Sequence, residues 1–414
     1  MNTPIHINLQ AGTDDEFDNY AKVIDHVTAL AQVETVEALA VLPDACPAGQ
    51  APGTIPVGGV AKVRGAIHPG MHSADVCCSM AYTNLGKVDP NIVLTWAMAT
   101  THFGMGGRSP DRVIQPPADL IAKMENNPFF RDVRDELVTH FATQGDGNHF
   151  LYVGNLSSTG DTVMVTHHGS RKPGAGLYKA GMRIAGLYSG ELKHNAFIPF
   201  DTLDGMHYWA ALQLIRRWTK ASHFAIHDIV ADLVQARPID RFWNEHNFVF
   251  KRGDHFYHAK GATPNYAGFS PDDDGRTLIP MNCAEPILIA GHVDNPKSLG
   301  FAPHGAGRNY SRKQHFANIA GRDPAEVFAE ETKGLDVRAF NGKVDLSELP
   351  SAYKNAAEVQ RQIAHFGLAT ITDTIQPYGS IMAGEAYQPW LKKKTKNQIV
   401  GTRADVIITD EVAA

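Results

Sequence analysis

Cysteine is scarce in this sequence. Four of the 414 residues are cysteines, and two of them, Cys77 and Cys78, are adjacent. This number and spacing exclude the disulfide framework of a small secreted protein, and they favour a reducing compartment. Residues 1–10 also lack the basic region and apolar core of a secretory signal. We therefore expect a cytoplasmic protein.

Long apolar runs and an excess of positive charge are absent as well. No stretch approaches the ~20 apolar residues that a membrane helix needs, so we expect no membrane partner. The 38 lysines and arginines stand against 44 acidic residues, a formal net charge of −6. This balance argues against nonspecific coating of nucleic acid, although it leaves room for a local basic groove. A composition of 43% hydrophobic and 20% charged residues is typical of a folded globular chain.

The periodicity of apolar residues predicts a mixture of helices and strands. Thr13 and Glu16 have capping-box spacing at the start of a helix predicted over residues 13–33. The segment 43–59 is rich in proline and glycine and predicts a loop, whereas 202–235 predicts a helix, a turn and a second helix. A hairpin is expected around Arg252-Gly253-Asp254. Other segments predict strands (150–153, 162–166 and 286–289) or helices (91–100, 117–144, 325–333 and 356–366).

Histidine is abundant, with 20 residues, and many of these lie beside glycine, asparagine or cysteine. A single histidine at a strand end is more often structural than a metal ligand, and a single buried cysteine is more often a small apolar residue. Their concentration at strand-to-loop junctions, where α/β proteins gather functional groups, weakens that interpretation. The spacing therefore predicts a mononuclear or dinuclear metal site. Five segments carry the pattern: 72–79, 145–150, 166–171, 246–247 and 302–312.

These segments, taken together, resemble the RtcB RNA ligases. Seven motifs occur in the family's order between about residues 56 and 384: Asp75-Val-Cys-Cys78, Gly147-Asn148-His149-Phe150, His167-His-Gly-Ser-Arg171, His246-Asn247, His258-Ala-Lys-Gly-Ala-Thr263, His304-Gly-Ala-Gly-Arg308 followed by Ser311-Arg312, and Ala352-Tyr353-Lys354. The resemblance implies one large α+β domain over residues 1–414, with mixed sheets around a deep cleft for metal and nucleotide. Its core would span about 56–384, and residues 385–414 would form a C-terminal extension.

The resemblance also implies an activity and its cofactors. Members of the family are GTP- and manganese-dependent, and they join RNA ends bearing a 3′-phosphate or 2′,3′-cyclic phosphate to 5′-hydroxyl ends. Cys78 would bridge two Mn²⁺ ions, with Asp75 and His149 on one ion and His167 and His246 on the other. His304 would be the nucleophile that takes GMP from GTP. The choice of manganese follows from the family alone, because such mixed ligands also bind Zn²⁺ tightly.

Further residues would contact the nucleotide and the RNA. The implied GTP-binding residues are Asn148, Phe150, Tyr152, Asn247, Ala290, Gly291, His292, Val293, Gly305, Ala306, Gly307 and Tyr353, the last of these packing on the guanine. The implied RNA or phosphate contacts are Arg171, Lys260, Arg308 and Arg312, since a planar guanidinium suits phosphate oxygens.

Several positions depart from the family pattern, mostly among those that contact the base. Tyr152 stands where the family has a glutamate, and a phenol cannot accept two guanine N–H bonds as a carboxylate can. Residues 379–384 lack the family's terminal lysine, and 290–293 replace its Pro-Gly-Ser-Met loop. The basic run 392–396 is either a substitute for that lysine or a solvated tail. We therefore expect a divergent branch with altered nucleotide selection.

Two alternatives belong to other functional classes. A metal-dependent phosphoesterase on the same scaffold would not need His304 as a nucleophile. A noncatalytic RNA-binding protein would be expected to interleave aromatic and basic residues, which this sequence does not do. The sequence leaves open the RNA target, the need for an activating protein and the oligomeric state, for which a monomer is the default expectation.

Overall fold

The computed structural model describes residues 3–47 and 53–384. The strands of this part of the chain are β1 (Ile5–Ile7), β2 (Val36–Cys46), β3 (Val57–Arg64), β4 (Ala66–Ile67), β5 (Ser79–Asn84), β6 (Phe150–Leu156), β7 (Thr162–His168), β8 (Ile198–Pro199), β9 (Asp240–Glu245), β10 (Asn247–Arg252), β11 (His255–Lys260), β12 (Ala262–Pro264), β13 (Arg276–Ile279), β14 (Ile287–Gly291), β15 (Phe301–Pro303), β16 (Asp336–Ala339) and β17 (Thr370–Met382). The helices are α1 (Asp14–Leu30), α2 (Pro90–Thr100), α3 (Ala118–Glu125), α4 (Glu136–Thr139), α5 (Arg171–Ser189), α6 (Leu203–Leu233), α7 (Arg312–Asn318), α8 (Pro324–Glu331) and α9 (Ala356–His365).

Two sheets dominate the architecture, which is the expected α+β class. One has five strands in the order β1-β2-β3-β11-β10. The other has eight, in the order β13-β14-β17-β6-β7-β5-β9 with β16 paired to β17. Strands β9 and β10 are separated in sequence only by His246, so the chain passes directly from the large sheet to the small one at that residue. This junction is where the functional groups converge.

The helices that the sequence predicted are present, with three differences. Residues 117–144, predicted as helical, form the short helices α3 and α4 with a 3-10 turn over Pro128–Val133 between them. The Thr13 side chain accepts a hydrogen bond from Glu16 N, as the capping box requires, and α1 ends at Leu30. Residues 202–235 form one continuous helix, α6, instead of two. No proline interrupts it, and its buried residues, which include Tyr208, Leu212 and Trp218, recur at helical spacing along its length.

Two segments were predicted wrongly or missed. Part of the supposed loop 43–59 is strand, because β2 continues to Cys46 with an irregular register after Val41 and β3 begins at Val57. Such a bulge accommodates proline in a strand.

Helix α5 was missed because it contains four glycines and a proline. A Cβ at Gly181 would lie 2.6 Å from the Tyr208 ring, so glycine there permits close packing of α5 on α6.

The core is divided by the sheets. Trp218 and Phe130 belong to the largest buried cluster, in which α6 packs against the large sheet, whereas Val23 and Leu30 of α1 pack against the small sheet.

Within the described residues, no helix is both long enough and apolar enough to span a bilayer. The C-terminal extension and the basic run 392–396 lie outside the described residues.

Candidate active site

Five side chains from four separate segments meet around the thiol of Cys78. Its Sγ lies 3.2 Å from His167 Nε2 and 3.5 Å from His149 Nε2. The ligand atoms of Cys78, His167 and His246 lie within 4.8 Å of one another, and so do those of Asp75, Cys78 and His149. Cys78 is therefore shared by two groups of three. We call these five residues the ligand cluster.

The hydrogen bonds of His167 leave one nitrogen free to bind a cation. Its Nδ1 lies 3.1 Å from Asn148 O and donates to that carbonyl. Its Nε2 then carries a lone pair, and it lies 3.2 Å from His246 Nε2. Anchoring one ring nitrogen on a carbonyl while the other faces the ion is the usual arrangement of metal-binding histidines.

The electrostatics of the cluster also suit a bound cation. Burial, together with the nearby Asp75, raises the pKa of the Cys78 thiol. Burial lowers the pKa of His167 to about 3, so the imidazole is neutral. Burial opposes ionisation of Asp75, but His149, 3.0 Å away, brings the pKa of that carboxyl down to about 2. A divalent cation among these groups would hold the thiol as thiolate, and the donor set fits such an ion.

Strained backbone shapes the segment that supplies Asp75 and Cys78. Ser73 and Cys77 have φ of 75° and 60°, in the left-handed region, where a non-glycine residue costs about 1–3 kcal/mol. Cys77 N donates to Asn247 O at 2.7 Å, and Asn247 Oδ1 accepts from Gly261 N at 2.7 Å. Asn247 thus connects the segment that carries Asp75 and Cys78 with Gly261. It does not line the cavity that is described below.

His304 lies beside the cluster and is oriented by a carboxylate that the sequence analysis missed. Its Nδ1 donates to Asp44 Oδ2 at 2.6 Å, and its main-chain N–H donates to the same oxygen at 3.2 Å. The imidazole ring is 4.9 Å from that of His246. Because Nδ1 carries the proton bound to Asp44, the lone pair is on Nε2. The only sequence signal for Asp44 is a carboxylate at the end of an apolar run.

A close fit between two segments brings Asp44 to His304. Asp44 is fully buried in the irregular part of β2, and bulges often redirect side chains next to active sites. Gly307 has φ of 74°, and a Cβ there would lie 2.1 Å from Asp44 O. Glycine at this place in the His304–Arg308 turn is therefore required by both conformation and space.

A cavity of about 320 Å³ opens from the cluster and His304. It is lined by many of the residues expected to bind nucleotide or phosphate: Asn148, Phe150, Tyr152, Gly305, Ala306, Gly307, Arg308, Arg312 and Tyr353. This volume lies at the lower end of the range for small-molecule sites.

Glu348, which the sequence analysis also missed, organises the charged wall of this cavity. The carboxylate accepts from Arg312 Nε at 2.9 Å and Nη2 at 2.6 Å, from Arg308 Nη1 at 3.4 Å, and from the Tyr353 hydroxyl. The Arg308 guanidinium lies 5.3 Å from the centre of the Tyr353 ring. Both guanidinium groups are thereby fixed at the cavity surface.

The apolar part of the cavity lining, which we call the apolar end, comprises Phe150, Tyr152, Met281, Ile287 and Met382. It begins at the ligand cluster, where the Phe150 ring lies 5.2 Å from that of His167. The Tyr152 hydroxyl donates to Ile375 O at 2.9 Å. Ser380, paired with Tyr152 across the sheet, also lines this end, and its buried Oγ has no partner among the described residues. Asn282 and Cys283 add further neutral polar groups.

The structure does not bring every expected residue to the cavity. Ala290, Gly291, His292 and Val293 lie in and after β14, where Ala290 and Gly291 pair with β13 and β17. The segment before that strand, 280–283, lines the cavity instead. The sequence pattern did not reveal where β14 begins and ends, so it could not show which of these two segments faces the cavity.

Two basic residues are also outside the cavity lining. The Arg171 guanidinium donates to Gly104 O, Gly106 O and Thr143 Oγ1. Lys260, whose pKa is lowered by burial, ends β11 next to Gly261. Gly261 packs against the His304 ring, where a Cβ would lie 2.9 Å from Nδ1.

Comparison with known proteins agrees with this arrangement. A family model described as "tRNA-splicing ligase RtcB" matches residues 115–383, about two thirds of the chain. The chain belongs to the RtcB family. The matched range contains His149, His167, His246 and His304, while Asp44, Asp75 and Cys78 precede it.

Relatives with this name are distant. A tRNA-splicing ligase RtcB of Thermococcus kodakarensis is 26% identical over 336 residues, which are 69% of this chain and 65% of that protein. The RtcB of Aeropyrum pernix is 28% identical, covering 57% of this chain and 58% of that protein. For the RtcB of Pyrococcus horikoshii, 26% identical, the match covers 57% of this chain and 32% of that protein. The chain thus spans less than two thirds of the length of these relatives.

Proposed function

We propose that this protein is an RNA ligase. It joins RNA ends bearing a 3′-phosphate or 2′,3′-cyclic phosphate to 5′-hydroxyl ends, using GTP and two Mn²⁺ ions, through a guanylylated His304. The observation that carries the proposal is His304 itself: an imidazole held by the buried Asp44 carboxylate, beside the ligand cluster and at the wall of the cavity. Family membership supports the choice of reaction.

The geometry of His304 suits nucleophilic attack. Asp44 accepts the Nδ1 proton, so that the Nε2 lone pair is available for the α-phosphorus of GTP. An N–P bond forms as the bond to pyrophosphate breaks, and the Asp44 carboxylate stabilises the positive charge that develops on the ring. The resulting phosphoramidate passes GMP to the RNA 3′-phosphate, and the 5′-hydroxyl then displaces GMP. A cyclic end is first opened by water.

The remaining side chains hold phosphate and metal. Arg308 and Arg312, fixed by Glu348, would bind phosphoryl oxygens, as would Arg171 and Lys260 along the RNA. Asp75, Cys78 and His149 would hold one Mn²⁺, while Cys78, His167 and His246 hold the other. When bound, these ions would neutralise charge on the phosphoryl oxygens.

The test is incubation of the full chain with α-labelled GTP and Mn²⁺, followed by denaturing electrophoresis. We expect an acid-labile covalent adduct, and ligation of a 3′-phosphate RNA to a 5′-hydroxyl RNA in the same mixture. Phosphate release from the RNA end without any adduct would support a phosphoesterase and would refute the ligase proposal.

A further inference from the structure

Lys354 is a buried lysine to which the proposed reaction assigns no role. Its side chain is only 6% exposed, and lysines are almost never so buried unless their ammonium group is engaged. The Nζ atom donates to two main-chain carbonyl oxygens, Pro43 O and Ala45 O, each at 2.8 Å. Burial lowers the pKa of the lysine, which shows that these contacts are made against a desolvation penalty.

The two carbonyls flank Asp44, the residue that holds His304. Lys354 therefore fixes the main chain on both sides of that carboxylate. A second contact ties the same lysine to the histidine, because Lys354 N donates to Gly307 O at 2.9 Å. One residue thus connects the segment that carries the carboxylate with the turn that carries the imidazole.

Little freedom exists between these two segments. Asp44 Oδ2 accepts from Nδ1 and from the main-chain N–H of His304, and the absence of a Cβ at Gly307 lets its main chain approach that of Asp44. Asp44 lies in an irregular part of β2, without the continuous ladder that would otherwise set its position. The lysine side chain supplies hydrogen bonds where the strand pairing is interrupted.

We propose that Lys354 is a positioning residue for guanylylation. Its ammonium group fixes residues 43–45 so that Asp44 holds the Nδ1 proton of His304 and directs Nε2 into the cavity. This inference rests on the proposed function for its catalytic consequence, but its structural part concerns the Asp44–His304 hydrogen bond alone. A misplacement of about 1 Å in such a pair lowers a rate by about 10²-fold.

The experiment compares the full-length variants Lys354→Met, Lys354→Arg and Lys87→Met. Methionine has a similar length but no donors, arginine keeps donors, and Lys87 is an exposed lysine that serves as the matched control. Adduct formation is measured at saturating GTP and as a function of GTP concentration. We expect Lys354→Met to lower the maximal rate by about 10²-fold with an unchanged KM for GTP. Lys354→Arg should recover part of the loss, and Lys87→Met should match wild type.

Two further measurements separate positioning from general structural support. In an Asp44→Ala background, Lys354→Met should have little additional effect, since the acceptor that the lysine positions for His304 Nδ1 is already absent. The Nδ1 proton of His304, assigned in histidine-labelled protein by its loss in His304→Ala, should be visible by NMR in wild type and Lys354→Arg and missing in Lys354→Met. Melting temperature and metal content are recorded for every variant.

The outcomes are distinguishable from those of the ligase proposal. An unchanged Nδ1 resonance in Lys354→Met would overturn the positioning role, as would a loss of rate that adds fully to that of Asp44→Ala. If Lys354→Met fails to fold, the Lys354→Arg variant tests the positioning role. In that variant, the His304 Nδ1 resonance and the rate of adduct formation must be retained together or lost together. A wild type that forms no adduct while the resonance depends on Lys354 would refute guanylylation and leave the positioning role supported.

Discussion

The two ends of the cavity differ in what holds their side chains. In the ligand cluster and around His304, polar groups are fixed by directed hydrogen bonds, such as those from His167 Nδ1 to Asn148 O and from His304 Nδ1 to Asp44 Oδ2. The apolar end is made of rings and aliphatic groups, and its polar atoms are neutral. The hydrogen bonds around the ligand cluster and His304 therefore fix the positions of individual atoms. The apolar end fixes mainly the shape of the space that a bound group can occupy.

This difference indicates where function is constrained. Bond-making groups must be placed accurately, since small displacements are expensive in rate. A base that only fills space tolerates changes in its neighbours, because apolar contacts are non-directional. We therefore expect substitutions at the reactive end to have the largest effects and those at the apolar end the smallest.

The largest effect is expected from His304→Ala. The variant should form no GMP adduct, because the imidazole that would form the N–P bond is removed. Metal content should be nearly normal, since His304 is not in the ligand cluster. Adduct formation and metal analysis on the same preparation check both statements, and an adduct of undiminished yield would remove His304 from this role.

The adjacent cysteines provide the next test. Cys78→Ala should lower occupancy of both metal positions, with a loss in affinity at least as large as the ~10–100-fold that follows removal of an outer partner of a ligand. Cys77 faces Glu245 and Thr219 in the protein interior, so Cys77→Ala is the matched control and should retain both ions. Titration with Mn²⁺ measures each occupancy, and the opposite pattern would exchange the roles of the two thiols.

Asp44→Asn tests the orientation of His304 with a smaller change. The asparagine oxygen can still accept from Nδ1 and the main-chain N–H of His304, but the charge that stabilises the ring during attack is lost. Hydrogen bonds to charged groups contribute about 1.5–3 kcal/mol, so adduct formation should slow by roughly 10- to 100-fold. Single-turnover kinetics with labelled GTP measures this, and a rate equal to wild type would mean that Asp44 acts only in folding.

The sequence predicted the two ends unequally. The family resemblance, carried by motif order, implied the five residues of the ligand cluster and His304, and the structure brings these side chains together. Asp44 and Glu348 were missed because a single carboxylate in an apolar run, or before a proline turn, has no distinctive spacing. Their roles depend on contacts between residues 260 and 36 positions apart in sequence. For a related reason, the sequence pattern did not reveal that Ala290 and Gly291 pair with β13 and β17, since strand ends are set by such distant partners.

The smallest effect is expected at the apolar end, in the choice of nucleotide. Tyr152 donates its hydroxyl proton to Ile375 O, and the carboxylate of Glu348 is already bound by Arg308, Arg312 and Tyr353. No other acidic side chain lines the cavity within the described part of the chain. Guanine would then be recognised by neutral groups such as Ser380 Oγ, each worth about 0.5–1.5 kcal/mol. We expect adduct formation with ATP to approach that with GTP to within roughly tenfold.

The measurement is adduct yield with GTP, ATP, CTP and UTP, on the full chain and on a chain ending at Ala386. Ser380→Ala should narrow the difference between GTP and ATP, while Ser157→Ala, at an exposed hydroxyl in the turn after β6, should not. Sharp preference for GTP in both chains would contradict the expectation and show that Tyr152 or a neighbouring group reads guanine well. If the preference for GTP is lost only in the chain ending at Ala386, the basic run 392–396 would be the segment that recognises guanine. An ammonium group on a flexible stem suits that role, because it can reach a base edge from a neighbouring segment without a fixed fork geometry.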